Sequence, residues 1–424
     1  MRFNVFKNTA LLFVLILISC ASKTKNNLNE TNTVLAKTET TIVNTTTKSI
    51  IIVGANQTEA YLPLLKGKRV GIVANQTSVL FKNVTSSKTP NYDSNTHIVD
   101  TLLDLQVAVK KVFAPEHGFR GTADAGEVVK DGIDTKTNLP IISLYGNNKK
   151  PTVAQLQDVD VIIFDIQDVG ARFYTYISSL HYVMEACAEQ NKTLIVLDRP
   201  NPNGHYIDGP ILEKEHTSFV GMHPVPVVHG LTIGEYAQMI NGENWLNNGL
   251  KCNLKVITLK NYNRQMAYDL PIKPSPNLPN AQAINLYPSL CFFEGTNVSA
   301  GRGTDLQFQI YGSPFLPKTD YAFTPKSNEG AKHPKHENKV CHGYNLSGIK
   351  QQNGLNLSYL INAYNTTSTK SDFFIANGFF TKLAGTKTLQ QQIEAGWSED
   401  KIKATWTSGL NDFMVKRKPY LLYQ

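Results

Sequence analysis

From Arg69 onward, the chain alternates short, continuous apolar runs with longer runs in which apolar residues recur at helical spacing. The apolar runs predict β-strands at Arg69–Ala74, Val109–Ala114, Ile141–Leu144, Val159–Phe164 and Thr193–Leu197. The amphipathic runs among them predict helices at His97–Leu105 and Phe173–Gln190. Because strands that are apolar along their whole length are typical of parallel sheets covered on both faces, the pattern predicts an α/β fold with a Rossmann-like, mostly parallel sheet.

A proline-rich segment interrupts this alternation between Pro271 and Pro279. Proline removes a backbone donor and ends regular structure, so the segment is a predicted domain boundary. Beyond it, helix-like runs occur at Gly354–Tyr364 and Leu389–Ala395. We therefore predict a Rossmann-like catalytic domain over residues 51–278 and a smaller C-terminal α+β domain over residues 279–424 that closes the cleft.

Polar segments directly follow four of the predicted strands. They are Asn75–Ser78, Pro115–Gly118, Asp165–Asp168 and Asp198–Asn201. In a parallel sheet these segments meet at the carboxyl edge, where open α/β folds bind ligands. The pattern therefore predicts a site at this edge, with Asn75 and Gln76 among its substrate-binding residues.

The segment Phe113–Gly121 (FAPEHGFRG) carries the sharpest candidate, Glu116. A glutamate that follows a strand and a proline, next to His117 and between glycines, is fixed in position and open to substrate. A carboxyl whose pKa is raised by burial can act as the general acid of glycoside cleavage. The alternative is a structural carboxylate that pairs with Arg120 or His117.

A second group of candidates lies between Asp165 and Tyr176 (DIQDVGARFYTY). Asp165 and Asp168 are candidates for the second carboxylate, which activates water or stabilises an oxocarbenium ion. Alternatively, they cap the following helix and pair with Arg172. Tyr174 and Tyr176 suit either sugar stacking or core packing.

Two further clusters complete the candidate set. Thr232 and Glu235 have the spacing of a capping box, which makes the preceding His229 the better site candidate. Farther along lie Glu294-Gly-Thr-Asn297 and Gly301-Arg-Gly-Thr304. Their glycines let backbone N–H groups approach an anion, and Arg302 can bind a carboxylate with two parallel hydrogen bonds.

Other ligand-binding motifs are absent from the sequence. It contains neither the GxxxxGK[ST] motif of a nucleotide P-loop nor a strand followed by GxGxxG, which disfavours an NAD-dependent oxidoreductase. A metal site built from His97, His117 and Asp165 lacks the HExxH type of spacing. We therefore predict an enzyme without a cofactor or metal.

The first 20 residues carry a targeting signal. Arg2 and Lys7 precede the apolar run Leu11–Ile18, and Cys20 follows it. The ending Leu-Ile-Ser-Cys resembles a bacterial lipobox, which implies cleavage before Cys20 and lipidation of its thiol. The alternative is an ordinary signal peptide with an incidental cysteine. We predict a lipoprotein that is exported and anchored to a bacterial membrane, facing the periplasm or cell envelope.

Composition narrows the possible partners. The chain has 424 residues, of which 41% are hydrophobic and 18% charged, as expected for a globular protein. Residues 21–50 are rich in Thr, Asn and Lys and predict a disordered tether. About half of the formal net charge of +8 lies in the signal and the tether. The rest of the chain has no run of basic residues that would bind a phosphate backbone, so nucleic acid is not a predicted partner.

Seven motifs in order resemble the NamZ family of exo-β-N-acetylmuramidases over roughly residues 60–424. They are VANQTS (Val73–Ser78), FAPEHGFRG (Phe113–Gly121), DIQDVGARFYTY (Asp165–Tyr176), LDRPNP (Leu197–Pro202), HGLTIGE (His229–Glu235), PSPNLP (Pro274–Pro279) and FFEGTNVSAGRGT (Phe292–Thr304). The resemblance implies a Rossmann-like domain, a smaller second domain and an active site in the cleft between them. It also implies release of N-acetylmuramic acid (MurNAc) from the non-reducing ends of peptidoglycan fragments, in cell-wall turnover. The lead catalytic glutamate of the family falls on Glu116.

The prediction is therefore a glycoside hydrolase whose partner is a peptidoglycan-derived glycan. Its predicted catalytic residues are Glu116, His117, Asp165 and Asp168. Its predicted substrate-binding residues are Asn75, Gln76, Arg120, Arg172, Tyr174, His229, Glu294, Asn297 and Arg302. The alternative is a glycan-binding lipoprotein without catalysis.

Overall fold

A computed structural model describes residues 50–82, 94–120 and 130–424, which belong to one compact unit. The predicted signal peptide, the tether up to residue 49, and Cys20 lie outside the described residues. Within them, no helix has both the length and the apolar character needed to span a membrane. The boundary at residues 278 and 279 stays a prediction.

The first part of the chain forms a sheet covered by helices. Its strands are β1 (Val70–Ala74), β2 (Val79–Phe81), β3 (Asn95–His97), β4 (Val109–Ala114), β5 (Gly132–Ile133), β6 (Pro140–Ser143), β7 (Val161–Asp165), β8 (Thr193–Leu197) and β9 (Asn253–Ile257). Its helices are α1 (Thr58–Leu65), α2 (Ile98–Asp104), α3 (Val153–Leu156), α4 (Tyr176–Glu189) and α5 (Ile233–Gly242).

In the described ranges, seven of these strands pair in the order β5-β6-β4-β1-β7-β8-β9, and β2 and β3 form a separate hairpin. All neighbours in the large sheet are parallel except β5 and β6. The central strands β1 and β7 are buried along their whole length, as their apolar runs predict. The predicted α/β fold with a mostly parallel sheet is confirmed.

Strand β9 is missing from the prediction because it lies at the edge of the sheet. Asn253 and Lys255 are exposed on it, so its sequence lacks the continuous apolar run of the central strands. The predicted capping box is confirmed at the start of α5. Thr232 Oγ1 accepts from the Glu235 backbone N–H, and the Glu235 carboxylate accepts from the backbone N–H of Thr232.

Helix α4 begins three residues later than predicted. Phe173 and Tyr174 lie in the turn before it, and Thr175 is its N-cap residue. The Thr175 side chain makes no capping hydrogen bond, because its hydroxyl donates to Glu116 Oε2 at 2.7 Å. The start of this helix is thereby coupled to the segment that follows β4.

The second part of the chain is smaller and mixed. Its strands β10 (Ile310–Ser313), β11 (Tyr321–Phe323) and β12 (Cys341–Asn345) form an antiparallel sheet in the order β10-β12-β11. Its helices are α6 (Ala281–Leu290), α7 (Ser358–Thr366), α8 (Phe379–Ala384), α9 (Thr388–Glu394), α10 (Glu399–Ala404) and α11 (Thr407–Arg417). The predicted smaller α+β part is confirmed, with α7 and α9 at the two predicted helical runs.

Aromatic packing joins the two parts into a shared core. Phe173, which precedes α4, meets the rings of Tyr287 and Phe292 edge to face, with centroid distances of 5.4 and 5.8 Å. Such pairs stabilise by about 0.5–1.5 kcal/mol beyond the area they bury. The described cysteines (Cys187, Cys252, Cys291 and Cys341) are buried free thiols within this core and its surroundings. Through Phe173, the segment that leads into α4 packs directly against the second part of the chain.

Candidate functional site

A cavity of about 310 Å³ lies where the carboxyl edge of the large sheet meets the second part of the chain. The sheet side contributes Glu116, His117, Tyr145 and the residues that lead into α4, while Glu294, Arg302 and Phe308 come from the other side. This volume lies at the lower end of the range of about 300–1,000 Å³ for ligand pockets. It suits a single sugar ring.

Glu116 is held in the wall of this cavity by two hydroxyl groups. Tyr145 Oη donates to Glu116 Oε1 at 3.0 Å, and Thr175 Oγ1 donates to Oε2 at 2.7 Å. His117 and Gly118 both have positive φ angles, of 70° and 76°. A histidine rarely adopts this left-handed conformation, so the turn after β4 is specified by its surroundings. The half-buried carboxyl group is thus fixed in orientation.

Asn75 supports Glu116 from beneath the cavity. Its side-chain N–H donates to Tyr176 Oη at 2.9 Å, and that hydroxyl lies 3.4 Å from the backbone carbonyl of Glu116. Asn75 is fully buried and does not line the cavity. Its predicted role in substrate binding is replaced by a role in positioning the segment that carries Glu116.

The second carboxylate that lines the cavity is Glu294, which follows α6 in a short 3-10 turn. Arg302 Nε donates to Glu294 Oε1 at 3.1 Å. Burial opposes ionisation of Glu294, but the charges of Arg302 and Lys335 outweigh it and hold its pKa below the ordinary value. Glu294 is therefore a carboxylate at neutral pH.

Arg302 keeps part of its guanidinium available. Its Nε is committed to Glu294, whereas its terminal nitrogens form no hydrogen bond within the described part of the chain. The group lies 5.1 Å from the centre of the Phe308 ring. Arg302 also borders a separate cavity of about 330 Å³, the third cavity below, which His333 and Lys335 also line. Arg302 can therefore accept an anion on its outer edge.

Aromatic rings form much of the remaining wall. Tyr174, Tyr287, Phe308 and Phe379 line the cavity, and Tyr174 meets Tyr287 edge to face at 5.8 Å. Tyr174 Oη donates to the Pro274 carbonyl at 2.8 Å, which fixes its ring. Apolar rings beside carboxylates are the surroundings in which proteins bind sugars. Tyr174 thus lies where a stacking residue is predicted.

The structure places Asp165 away from the cavity. Its side chain is fully buried, and both of its oxygens accept from Arg199, at 2.6 Å and 2.9 Å. A carboxylate enclosed in this way cannot reach a sugar in the cavity. The prediction that Asp165 supplies the second carboxylate is therefore wrong: Asp165 is a structural partner of Arg199.

Asp168 is likewise buried outside the cavity, beside His229. Asp168 Oδ2 accepts from the Gly170 N–H at 2.7 Å and lies 4.0 Å from His229 Nε2. Within the described residues, Asp168 Oδ1 and His229 Nε2 have no hydrogen-bond partner. Burial raises the pKa of Asp168 to about 7 and lowers that of His229 to about 3. The predicted catalytic role of Asp168 and the predicted binding role of His229 are therefore wrong, because both side chains lie in the core and neither lines the cavity.

Arg172 is a structural residue and not a ligand for substrate. Its guanidinium is fully buried and donates to the backbone carbonyls of Pro210, Val225, Leu383 and Ala384. Because two of these carbonyls belong to α8, Arg172 fastens the second part of the chain to the segment before α4. It pairs with neither Asp165 nor Asp168.

Three other predicted binding residues lie outside the central cavity. Arg120 is exposed and forms an ion pair with Asp134 at 2.8 Å. Asn297 donates to Thr369 Oγ1 at 3.1 Å. Gln76 lines a neighbouring second cavity and not the central one. His117 does line the central cavity, next to Glu116.

Sequence reasoning misses Tyr145 and Thr175. Tyr145 directly follows the predicted strand Ile141–Leu144, so the rule that strand ends carry the site points to it. Thr175 gives no such signal, because it lies within the run predicted as helical. Lys335, whose ammonium group donates to the carbonyls of Phe293, Thr296 and Val298, belongs to none of the motifs that the sequence singles out.

One group of side chains in the described residues could hold a metal ion. Ligand atoms of Glu213, Glu215 and His216 lie within 4.8 Å of one another. None of the three lines the central cavity, and both glutamates are exposed. The group therefore has no part in the site around Glu116.

Comparisons with known proteins agree on one family. The families described as "Exo-beta-N-acetylmuramidase NamZ, N-terminal" and "C-terminal" match residues 70–282 and 285–423. The chain is 39% identical over 389 residues to the peptidoglycan β-N-acetylmuramidase NamZ of Bacillus subtilis, covering 86% of this chain and 89% of that protein. Two crystal structures of DUF1343 family proteins from Bacteroides fragilis also match. The first is 48% identical, with a TM-score of 0.79, and the match covers 88% of this chain and 99% of that one. The second is 27% identical, with a TM-score of 0.73, and the match covers 89% of this chain and 100% of that one.

We expect Asp168→Asn to change how the free energy of unfolding depends on pH. In the folded state Asp168 keeps its proton up to about pH 7, whereas in the unfolded chain it ionises near its ordinary pKa of 3.8. The parent therefore loses stability through this group as the pH rises from 4 to 7, and the variant does not. Relative to the parent, the variant should gain on the order of 2–4 kcal/mol across this range.

Urea unfolding at unit steps from pH 4 to pH 7 measures this difference. Asp305→Asn, at an exposed aspartate, is the matched control and should follow the parent at every pH. Parallel curves for Asp168→Asn and the parent would show that Asp168 titrates alike in both states.

Proposed function

Because the chain belongs to the NamZ family of exo-β-N-acetylmuramidases, we propose that the cavity around Glu116 is its active site. The chain is a glycoside hydrolase, and it removes terminal MurNAc from the non-reducing ends of peptidoglycan fragments. The observation that carries the assignment of the site is the presence of two carboxyl groups, Glu116 and Glu294, in one cavity with aromatic walls. Cleavage of a glycosidic bond requires such a pair in most families of glycosidases.

The surroundings of the two carboxyl groups separate their roles. Glu294 is tied to the guanidinium of Arg302, which keeps it ionised and unsuited to donate a proton. Glu116 is held in the same cavity by the hydroxyls of Tyr145 and Thr175. Since the Arg302 ion pair leaves Glu294 ionised, Glu116 is the proposed proton donor to the leaving oxygen.

Glu294 is the proposed source of negative charge during the reaction. The transition state of glycoside cleavage develops positive charge at the anomeric carbon and ring oxygen. An ionised carboxylate in a partly buried cavity stabilises such charge more than it would in water. His117, which lies beside Glu116 in the same wall, contributes to the shape of the turn that presents the acid.

Arg302 is the proposed determinant of specificity for MurNAc. This sugar differs from N-acetylglucosamine (GlcNAc) by a lactyl ether that ends in a carboxylate. Arg302 borders the central and third cavities, and its terminal nitrogens, which form no hydrogen bond within the described residues, are available to bind that group. Because Arg302 Nε is bonded to Glu294, the guanidinium is already oriented, and so are the two terminal nitrogens that would bind the substrate.

The N-terminal sequence supports a proposal about location. Arg2, Lys7, the apolar run Leu11–Ile18 and Cys20 have the order of a lipoprotein signal, so the enzyme is proposed to be exported and anchored through a lipid on Cys20. Residues 21–50 would then act as a tether between the membrane and the enzyme. Such a location would bring the active site to cell-wall fragments outside the cytoplasm.

The proposed role of Glu116 is tested with Glu116→Gln on two substrates. The parent should release MurNAc from a MurNAc–GlcNAc disaccharide, and from long glycan only at the terminus, as read by mass spectrometry. The variant should lose about 10²- to 10⁴-fold in rate on the disaccharide, which needs a proton donor. It should recover much of the bond-cleaving step on para-nitrophenyl β-MurNAc, whose leaving group needs little protonation.

Glu394→Gln, at an exposed glutamate, is the matched control and should behave like the parent. Equal losses by Glu116→Gln on both substrates would assign Glu116 a role other than the acid. Binding of the disaccharide without turnover by the parent would identify a glycan-binding protein instead. Cleavage mainly within long glycan would contradict the exo mode of action.

Arg302→Ala should weaken recognition of the lactyl carboxylate selectively. We expect kcat/KM for para-nitrophenyl β-MurNAc to fall about 10- to 150-fold, the range for loss of a charge-assisted hydrogen bond. Competitive inhibition by free MurNAc should weaken by a similar factor, and inhibition by free GlcNAc should change little. Equal weakening for both sugars would make Arg302 a structural support of Glu294.

Cys20→Ala tests the lipid anchor in cells. The parent should sediment with membranes and incorporate labelled palmitate, because the lipid is attached to this thiol. The variant should incorporate no label and remain in the soluble fraction of the cell envelope. The same distribution and labelling for both proteins would refute lipidation of Cys20.

A further inference from the structure

A second cavity, of about 560 Å³, adjoins the central one. The residues that line it include Gln76, Lys273, Ser275, Gln307, Asn328 and Glu329, and Ser275 lines both cavities. The wall between them is part of the proline-rich segment 271–279. The two cavities therefore meet at Ser275.

This wall is fastened to the part of the site that carries Glu116. The Pro274 carbonyl accepts from Gln76 Nε2 at 3.1 Å and from Tyr174 Oη at 2.8 Å. It also lies 3.4 Å from Tyr176 Oη, the hydroxyl that contacts the backbone carbonyl of Glu116 at the same distance. The wall of the second cavity is therefore linked by hydrogen bonds to the backbone of the proposed proton donor.

Three amide side chains that line the second cavity have hydrogen-bonding capacity to spare. Gln76 Nε2 donates to the carbonyls of Lys273 and Pro274, which leaves Oε1 buried without a partner in the described residues. Asn328 Oδ1 is in the same situation. The Gln307 side chain likewise forms no hydrogen bond with another residue in the described ranges. Since buried polar groups are normally paired, this cluster indicates a ligand with several donors and acceptors.

The charges around the second cavity favour a neutral ligand. Lys273 and Glu329 contribute one charge of each sign, and the other lining residues are uncharged. The third cavity differs, because Arg302 and Lys335 outnumber Glu294 there. The two side cavities thus offer a neutral, amide-lined environment and a cationic one.

We propose that the second cavity binds the neutral amino sugar on the reducing side of the bond that is cleaved. This assignment rests on the proposed function. A terminal MurNAc in the central cavity has two substituents that must extend from it: the anionic lactyl group and the neighbouring sugar at the anomeric oxygen. The lactyl carboxylate matches the cationic side at Arg302. The neighbouring sugar, with its hydroxyl and acetamido groups, matches the amide-lined second cavity, which meets the central one at Ser275.

The combined variant Gln307→Ala/Asn328→Ala, together with each single variant, tests this assignment. Hydrogen bonds to the neighbouring sugar stabilise only substrates that contain it. The ratio of kcat/KM for MurNAc–GlcNAc to kcat/KM for para-nitrophenyl β-MurNAc should therefore fall about 5- to 50-fold. Gln391→Ala, at an exposed glutamine on α9, is the matched control and should keep the parent ratio. Melting temperatures verify folding, and the single variants decide the question if the combined one unfolds.

A binding measurement makes the test independent of turnover. In the Glu116→Gln background, the same substitutions should raise the Kd of MurNAc–GlcNAc about 5- to 50-fold and that of MurNAc less than about 2-fold, as measured by calorimetry. Equal changes for both ligands, or none for either, would overturn the proposal. A greater effect on MurNAc that carries a peptide would assign the cavity to the peptide and likewise overturn it. A parent that binds the disaccharide without cleaving it would refute the proposed function, while the two Kd values still decide the role of the second cavity.

Discussion

The ion pair between Asp165 and Arg199 organises the carboxyl edge of the large sheet. Asp165 ends β7 and Arg199 follows β8, and both side chains are almost completely buried. Arg199 also donates to the Val79 carbonyl, and the Ser78 hydroxyl donates to the backbone carbonyl of Asp165. The ends of three successive strands in the sheet, β1, β7 and β8, are thereby tied to one another. Removing one partner from such a pair typically costs about 3–5 kcal/mol, so this edge tolerates little change.

The proposed active site is built on that edge by a series of shorter links. Asn75, at the end of β1, holds the hydroxyl of Tyr176, and that hydroxyl contacts the backbone of Glu116 at the end of β4. The hydroxyl of Thr175 in turn donates a hydrogen bond to the side chain of Glu116. The buried residues fix the strand ends, and only the outermost side chains meet the cavity. The second part of the chain completes the cavity with Glu294 and Arg302.

The fold and part of the site can be predicted from the sequence because their signals are local. Continuous apolar runs predict the central strands, and the strand-end rule leads to Glu116. The same rule fails for Asp165, because its partner Arg199 lies 34 residues farther along the chain and only the folded sheet brings the two together. Arg172 is misjudged for a similar reason, since two of the carbonyls that it binds lie more than 200 residues away. Sequence motifs identify candidate site residues, whereas contacts between distant parts of the chain determine whether those residues face the cavity or the core.

The proposed arrangement of the active site is tested most directly by a crystal structure of the Glu116→Gln variant with a bound MurNAc–GlcNAc disaccharide. The MurNAc ring should occupy the central cavity, with its lactyl carboxylate on the terminal nitrogens of Arg302. The glycosidic oxygen should lie within hydrogen-bond distance of the side chain at position 116, and GlcNAc should occupy the second cavity past Ser275. A disaccharide bound in the reverse direction, or outside the cavity that Glu116 and Glu294 share, would contradict this arrangement.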